Sequence, residues 1–182
     1  MEIIKTSIDG VVEIQPKVWG DDRGYFFESF NQSIFDKIVP NTQFVQDNQS
    51  FSVKGVLRGI HFQKPPFTQG KLVRVLSGRV IDVAVDLRKN SLTYGQHVAL
   101  ELSAEKNNML YVPEGFAHGF YTLEDATFFY KCTNLYNKES EGGVMWNDES
   151  LAIDWKLDGK PVVSDKDQVL PLISELDDIF TL

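Results

Sequence analysis

Apolar and polar residues alternate along most of this 182-residue chain, and the dominant period is two, the spacing of half-buried β-strands. Ile3 to Lys17 alternates loosely and is rich in β-branched residues, which predicts two short strands broken at Asp9-Gly10. Asp21-Asp22-Arg23-Gly24 is a turn signal, followed by a predicted strand, YFFESF. Between Asn31 and Val39 the period changes. Ile34, Phe35, Ile38 and Val39 recur at helical spacing behind Asn31 or Ser33 as a cap, and Pro40 stops the segment.

From Phe44 onward the pattern is that of strands. LVRVL and RVIDVAVDLR flank Ser77-Gly78, which reads as a hairpin turn. In the second arm Ile81, Val83, Val85 and Leu87 share one face, and Val80, Asp82, Ala84 and Asp86 share the other. YGQHVALEL, MLYVP, GFAHGFYTL and ATFFYKCT follow, separated by turn-rich segments such as SAEKNN and LEDA. About ten short strands and one helix in the body of the chain predict an antiparallel sandwich or barrel. No alternation of strands with helices supports a parallel sheet, and no fixed-period repeat is visible. After Trp155 the pattern decays into a polar stretch and then PLISELDDIF, a predicted short terminal helix.

Composition narrows the function. A hydrophobic content of 42% and an aromatic content of 12% describe a folded chain, and the length suits one domain over residues 1–182. A net charge of −8 argues against a nucleic-acid surface, which needs a concentrated basic face, but not against one phosphorylated ligand held by a few converging cations. The single cysteine, Cys132, forms no internal disulfide and lies in the apolar strand FFYKC, so it reads as buried structure rather than a nucleophile. The N-terminus shows no signal-peptide pattern and no run approaches 18 apolar residues, so the expectation is a cytoplasmic protein with no membrane span.

The unusual chemistry concentrates between Phe44 and Arg74. Arg58, His61 and Lys71 sit there inside segments that otherwise read as buried strand, and buried charges must be paired or used. Strand parity puts Arg58 and His61 on opposite faces unless Gly59 permits a bulge that turns both inward. Lys71 opens the strand KLVRVL, either as a solvated strand-end lysine or as a cation able to stabilise an enolate oxygen. His118, in PEGFAHGF, is a turn histidine or a ligand contact, and His97, mid-strand, reads as structural. Tyr130 is a core aromatic, or a proton donor if its pKa were lowered. Asp167, within Ser164-Asp165-Lys166-Asp167, reads locally as surface charge. The histidines are isolated, with no H-x-H, so a metal site is not expected. No dinucleotide, phosphate-loop or hydrolase motif is present.

Taken together, DDRGYFFESFN, FVQDNQS, VLRGIHFQ, QGKLVRVLSGRVIDVAVDLR, YVPEGFAHGF, YKCTNLY, EGGVMWND, IDW and SDKD resemble the dTDP-4-dehydrorhamnose 3,5-epimerase family, in the family's order and over nearly the whole chain. The resemblance implies a mainly β, cupin-type jelly roll with one or two short helices, a homodimer, and no metal or organic cofactor. It implies an isomerase whose base is His61, paired with Asp167, with Tyr130 as proton donor from the other side of the sugar and Lys71 stabilising the enolate. Ligand contacts would fall on Arg23, Glu28, Gln46, Asn48, Arg58, His118, Glu141 and Lys166, with Phe26 a packing surface for the base.

The implied substrate is dTDP-4-keto-6-deoxy-D-glucose, whose C3 and C5 protons are acidic because both carbons neighbour the C4 carbonyl. Two competing readings use part of the same set. A single-site 3- or 5-epimerase, or a ketoisomerase, would share the base and enolate and differ only in product. A non-catalytic nucleotide-sugar-binding module would need the arginine and amide contacts without the His–Asp–Tyr–Lys set.

Overall fold

The computed structural model describes residues 1–181. Its N-terminal elements are β1 (Glu2–Lys5), β2 (Val12–Gln15), β3 (Trp19–Asp21), β4 (Gly24–Phe26) and the single-turn helix α1 (Gln32–Phe35). The body follows as β5 (Gln46–Ser52), β6 (Val56–Gln63), β7 (Lys71–Ser77), β8 (Arg79–Asp86), β9 (His97–Ser103), β10 (Met109–Val112), β11 (Phe116–Thr122) and β12 (Ala126–Cys132). Two short strands, β13 (Glu141–Gly143) and β14 (Val162–Val163), belong to the C-terminal segment. No helix among the described residues is long and apolar enough to cross a membrane.

Two six-stranded arrays face each other as a jelly roll, the predicted antiparallel sandwich. One sheet runs β1-β2-β10-β7-β12-β5; the other runs β13-β6-β11-β8-β9, with β14 added in parallel on β6. Between them lies a core of Val73, Val75, Val80, Ala84, Leu110, Phe116, Phe120 and Phe128. Phe120 and Phe128 stack across that gap with ring centroids 4.2 Å apart.

Both sheets are also covered on their outer faces. Ile81, Val83, Val85 and Leu87, the face that alternation assigns to one side of β8, pack against Val144, Leu151, Trp155, Ile173 and Phe180 of the C-terminal segment. Phe35, with Phe30 and Phe44 against it, covers Leu72, Met109 and Tyr111 on the other sheet. This is why β8 is buried on both faces after Arg79, and why Asp82 and Asp86 are fully buried with Val80 and Ala84.

Four local expectations are corrected. Ser77-Gly78 is not a hairpin: β7 and β8 lie in different sheets, so the chain crosses there from one sheet to the other. Gly78 turns at φ +74°, and a Cβ at that position would sit 2.1 Å from the Asp125 carbonyl oxygen. The strand predicted over YFFESF ends at Phe26, because Phe27 and Phe30 turn inward to the aromatic cover. The helix predicted from Asn31 to Val39 is one turn, capped by the Asn31 side chain accepting from the Ser33 and Ile34 N–H groups. Beyond it, i→i+3 bonds from Lys37 and Ile38 and one i→i+4 bond from Val39 close the segment before Pro40. The terminal PLISELDDIF forms a single 3₁₀ turn, Ile173–Glu175, whose chain then continues to a bridge between Phe180 and Arg88. Burying Ile173 and Phe180 against the outer sheet requires that extended course.

Candidate active site

Inward-facing residues of the two sheets enclose a cavity of about 550 Å³. β6 and β11 supply one wall with Arg58, His61 and His118, and β7, β12 and β5 supply the opposite wall with Lys71, Phe128, Tyr130 and Ser50. The C-terminal segment closes a third side with Val162, Val163, Ser164, Lys166 and Asp167.

Arg58 and His61 share the cavity face because β6 is irregular between them. The pairing of β11 with β6 shifts register between His118 and Phe120, opposite Gly59. Gly59 adopts φ +113° and packs so closely on β11 that a Cβ would lie 2.7 Å from the Gly119 Cα. Leu57 and Ile60 then both point to the outer core, and Arg58 and His61 both point inward.

Asp167 lies 106 residues from His61 in sequence, and its Oδ1 is 2.6 Å from His61 Nε2. Its reading as surface charge is overturned: the residue is 3% exposed. β14 accounts for this, because it runs parallel to β6 with Val162 and Val163 against Val56 and Leu57, and lays the following turn beside His61. The other carboxylate oxygen accepts from the Gly59 N–H at 3.1 Å. Burial pushes the Asp167 pKa up, but His61, the Gly59 amide and Ser164 outweigh it and hold the carboxyl below the ordinary aspartate range. A carboxylate only accepts, so His61 presents Nε2–H to Asp167 and leaves Nδ1 as the free base.

Lys71 begins β7, directly opposite Cys132 in β12. Burial pulls its pKa below that of an ordinary lysine, and Cys132, Asp82 and Glu141 offset this only in part. Tyr130 stands across the cavity from His61. Burial, reinforced by Cys132, raises its pKa while Arg58 pulls it down. A lowered value, the condition set for a proton donor, is therefore not found. The raised value instead keeps the phenol protonated at neutral pH, which is the state a donor needs.

His118 is 7% exposed and lies beside His61 in the sheet register. Its Nε2 is 3.0 Å from both carboxylate oxygens of Asp82. Arg58 donates from Nε to Ser52 Oγ at 2.9 Å. Lys166 pairs with Glu141, whose carboxylate also accepts from the Tyr136 hydroxyl at 3.2 Å. Burial pushes the Glu141 pKa up, but Lys166 and Tyr136 bring it below the ordinary value. Gln46 and Asn48 precede Ser50 on the same face of β5, bonded to each other at 3.0 Å, and Asn48 Nδ2 donates to Cys132 Sγ at 3.6 Å. Cys132 is buried, as its apolar setting suggests.

Arg23, Phe26 and Glu28 stand apart. Arg23 is bound to Asp21, Phe26 is 67% exposed beside Trp19, and Glu28 accepts from Asn31. None of them lines this chain's cavity. Conversely, Asp82, Ser50, Ser52, Ser164 and Tyr136 touch the site or its residues without having been singled out from the sequence. Asp82 had a signal, a charge flanked by apolar residues within the strand RVIDVAVD, and β5 had another, an inward face made wholly of Gln46, Asn48, Ser50 and Ser52. No group of three or more His, Cys, Asp or Glu among the described residues is arranged to hold a metal.

A family model described as dTDP-4-dehydrorhamnose 3,5-epimerase matches residues 5–175. The protein of that name from Salmonella typhimurium is 52% identical over 177 residues, covering 96% of this chain and 97% of its own. The one from Methanothermobacter thermautotrophicus is 51% identical over 91% and 90%. Among solved structures, a Legionella pneumophila dTDP-6-deoxy-D-glucose-3,5-epimerase in complex with dTDP-4-keto-L-rhamnose superposes with a TM-score of 0.93 at 48% identity, covering 97% of this chain and 94% of that one. A Bacillus anthracis dTDP-4-dehydrorhamnose 3,5-epimerase with TDP and PPi bound gives 0.90 at 44%, over 94% and 98%.

Proposed function

The chain belongs to the dTDP-4-dehydrorhamnose 3,5-epimerase family, and from that premise we propose how its cavity inverts C3 and C5 of dTDP-4-keto-6-deoxy-D-glucose to give dTDP-4-keto-L-rhamnose. The observation that carries the mechanism is the buried Asp167 carboxylate held 2.6 Å from His61 on one wall, with Lys71 and Tyr130 on the facing wall.

His61 Nδ1 takes the proton from C3 or C5, and the electron pair moves through the new C=C bond to the C4 oxygen. Asp167 stabilises the imidazolium that forms. The Lys71 ammonium faces the enolate oxygen in a site largely stripped of water, where its charge acts strongly. Tyr130 then protonates the same carbon from the opposite side, the carbonyl re-forms, and the centre is inverted. Arg58 and Lys166 bind the diphosphate by charge-assisted hydrogen bonds, Lys166 exchanging Glu141 for phosphate oxygen.

The enzyme acts as a homodimer in this reading. The β3–β4 hairpin exposes Trp19, Tyr25 and Phe26 to solvent, and Arg23, Phe26 and Glu28 become ligand contacts when a second copy receives them. The substrate is a nucleotide sugar, which assigns the work of the enzyme to the cytoplasm.

The test is an NMR time course with dTDP-4-keto-6-deoxy-D-glucose in D2O. Deuterium entering at both C3 and C5 is the expected result. Label at one carbon only would assign a single-centre epimerase, and bound ligand without label would leave a binding module.

A further inference from the structure

Asp167 reaches His61 from a turn that Ser164 closes. The segment Ser164-Asp165-Lys166-Asp167 has the S-x-x-D spacing of a capping box. In that motif the serine hydroxyl accepts from the N–H of the acidic residue, and the acidic side chain folds back onto the serine's own amide. Only the first half of the exchange is made here. Ser164 Oγ accepts from the Asp167 N–H at 3.2 Å. The carboxylate oxygens are engaged elsewhere, one with the Gly59 N–H at 3.1 Å and the other with His61 Nε2 at 2.6 Å.

The rest of the turn leaves Ser164 as its side-chain cap. The 3₁₀ turn Asp167–Val169 starts from Lys166, whose side chain makes no capping bond. The Ser164 carbonyl accepts from the Asp167 and Gln168 N–H groups at 3.0 and 3.1 Å, so Ser164 holds the Asp167 N–H through both its backbone and its hydroxyl. β14, immediately before it, is fixed beside β6 by the Val162 N–H donating to the Gly55 carbonyl at 2.8 Å. Gln168 Nε2 donates back to the Val163 carbonyl at 3.1 Å. Ser164 is thus set from both sides, and it lines the cavity together with Asp167 and His61.

We propose that Ser164 is a positioning residue for the epimerisation: its hydroxyl holds the Asp167 N–H within the turn, which keeps the carboxylate on His61 rather than folded back, and so keeps the imidazole proton on Nε2. A carboxylate free to fold back onto its own turn would leave Nε2 without its acceptor. The proton would then also populate Nδ1, the nitrogen that abstracts from C3 and C5. The electrostatics agree: burial pushes the Asp167 pKa up, while the Ser164 side chain, with His61 and the Gly59 N–H, draws it down by hydrogen bonding to the ionised form. The inference rests on the roles given to His61 and Asp167 above.

The experiment pairs nitrogen NMR of the enzyme labelled at its three histidines with kcat and KM for dTDP-4-keto-6-deoxy-D-glucose in D2O. His61 of the unaltered enzyme should give the single tautomer protonated at Nε2. Ser164→Ala should give a mixture of both tautomers, with kcat for deuterium wash-in and for inversion falling together by roughly tenfold and KM little changed. Ser164→Thr keeps the hydroxyl and should match the unaltered enzyme in both readouts. Ser164→Val has the shape of threonine without the hydroxyl and should match Ser164→Ala, so the threonine and valine variants decide the matter if Ser164→Ala does not fold. A single Nε2–H tautomer or an unchanged kcat in Ser164→Ala, or equal losses in Ser164→Thr and Ser164→Val, overturns the proposal while leaving the epimerase reading intact. Absence of wash-in in the unaltered enzyme overturns both.

Discussion

Replacing Asp167 by asparagine tests the mechanism at its most buried point. The carboxylate accepts from His61 and from the Gly59 N–H, at 2.6 and 3.1 Å. Asparagine preserves shape and can keep its oxygen on Gly59, which leaves its NH2 group facing His61 Nε2. That donor selects the tautomer with the proton on Nδ1, the nitrogen that must abstract the substrate proton. A hydrogen bond to a charged group contributes about 1.5–3 kcal/mol, or roughly 10- to 100-fold in rate from imidazolium stabilisation alone. The wrong tautomer adds to this, as in Ser-His-Asp triads, where the same exchange costs about 10⁴ in kcat. We expect kcat to fall by about 10³ in Asp167→Asn, read as deuterium wash-in at C3 and C5, with the melting temperature lowered by only a few degrees. A folded Asp167→Asn enzyme within tenfold of the parent rate would refute the role given to the pair. The pH dependence has a definite sign. A folded-state pKa held below the ordinary value near 3.9 stabilises the native state above that pH, and the contribution is lost as pH falls through the folded value.

Tyr130→Phe removes the donor but not the base, so wash-in should persist while inversion drops by at least about 10²; equal loss of both would contradict the assignment. Lys71→Met should lower kcat by about 10²–10³ and yet raise the melting temperature by roughly 2–4 °C, because burial disfavours the charged Lys71 in the native state; a lower melting temperature would show that the ammonium is better solvated than its setting implies. Gly59→Ala forces a Cβ to 2.7 Å from the Gly119 Cα and 2.9 Å from the His118 carbonyl oxygen at φ +113°, and should destabilise the fold by about 3 kcal/mol or more in chemical denaturation.

Much of the architecture was legible because a strand's side chains alternate whatever its partner is. The two faces of β8 were read correctly from alternation alone, since Ile81, Val83, Val85 and Leu87 do form one packing surface. Turn chemistry was less informative. Ser77-Gly78 reverses the chain as a hairpin turn would, but local sequence does not say whether the next strand pairs with its neighbour or joins the facing sheet. Strands far along the chain decide that, since β7 pairs with β10 and β12 while β8 pairs with β11 and β9. The helix and the terminal segment were overextended for a related reason: apolar residues at helical spacing also suit a chain that turns or extends to cover a sheet.

The site divides along the same line. The residue types needed for enolate chemistry are written in the sequence, and family resemblance assigns them their expected parts. Three relations required the folded molecule. The register shift at Gly59 brings Arg58 and His61 to one face, which parity alone forbids. β14 carries Asp167 from an apparently surface-like run to within 2.6 Å of His61. The opposition of two sheets sets the base on one wall and Tyr130 on the other. Sequence by itself determined most of the long body strands, the faces of β8 and the inventory of reactive groups, because these follow from short-range periodicity and side-chain chemistry. Tertiary structure decided which groups meet, which are stripped of water and which stay outside the cavity, because desolvation and proximity depend on contacts between segments a hundred residues apart.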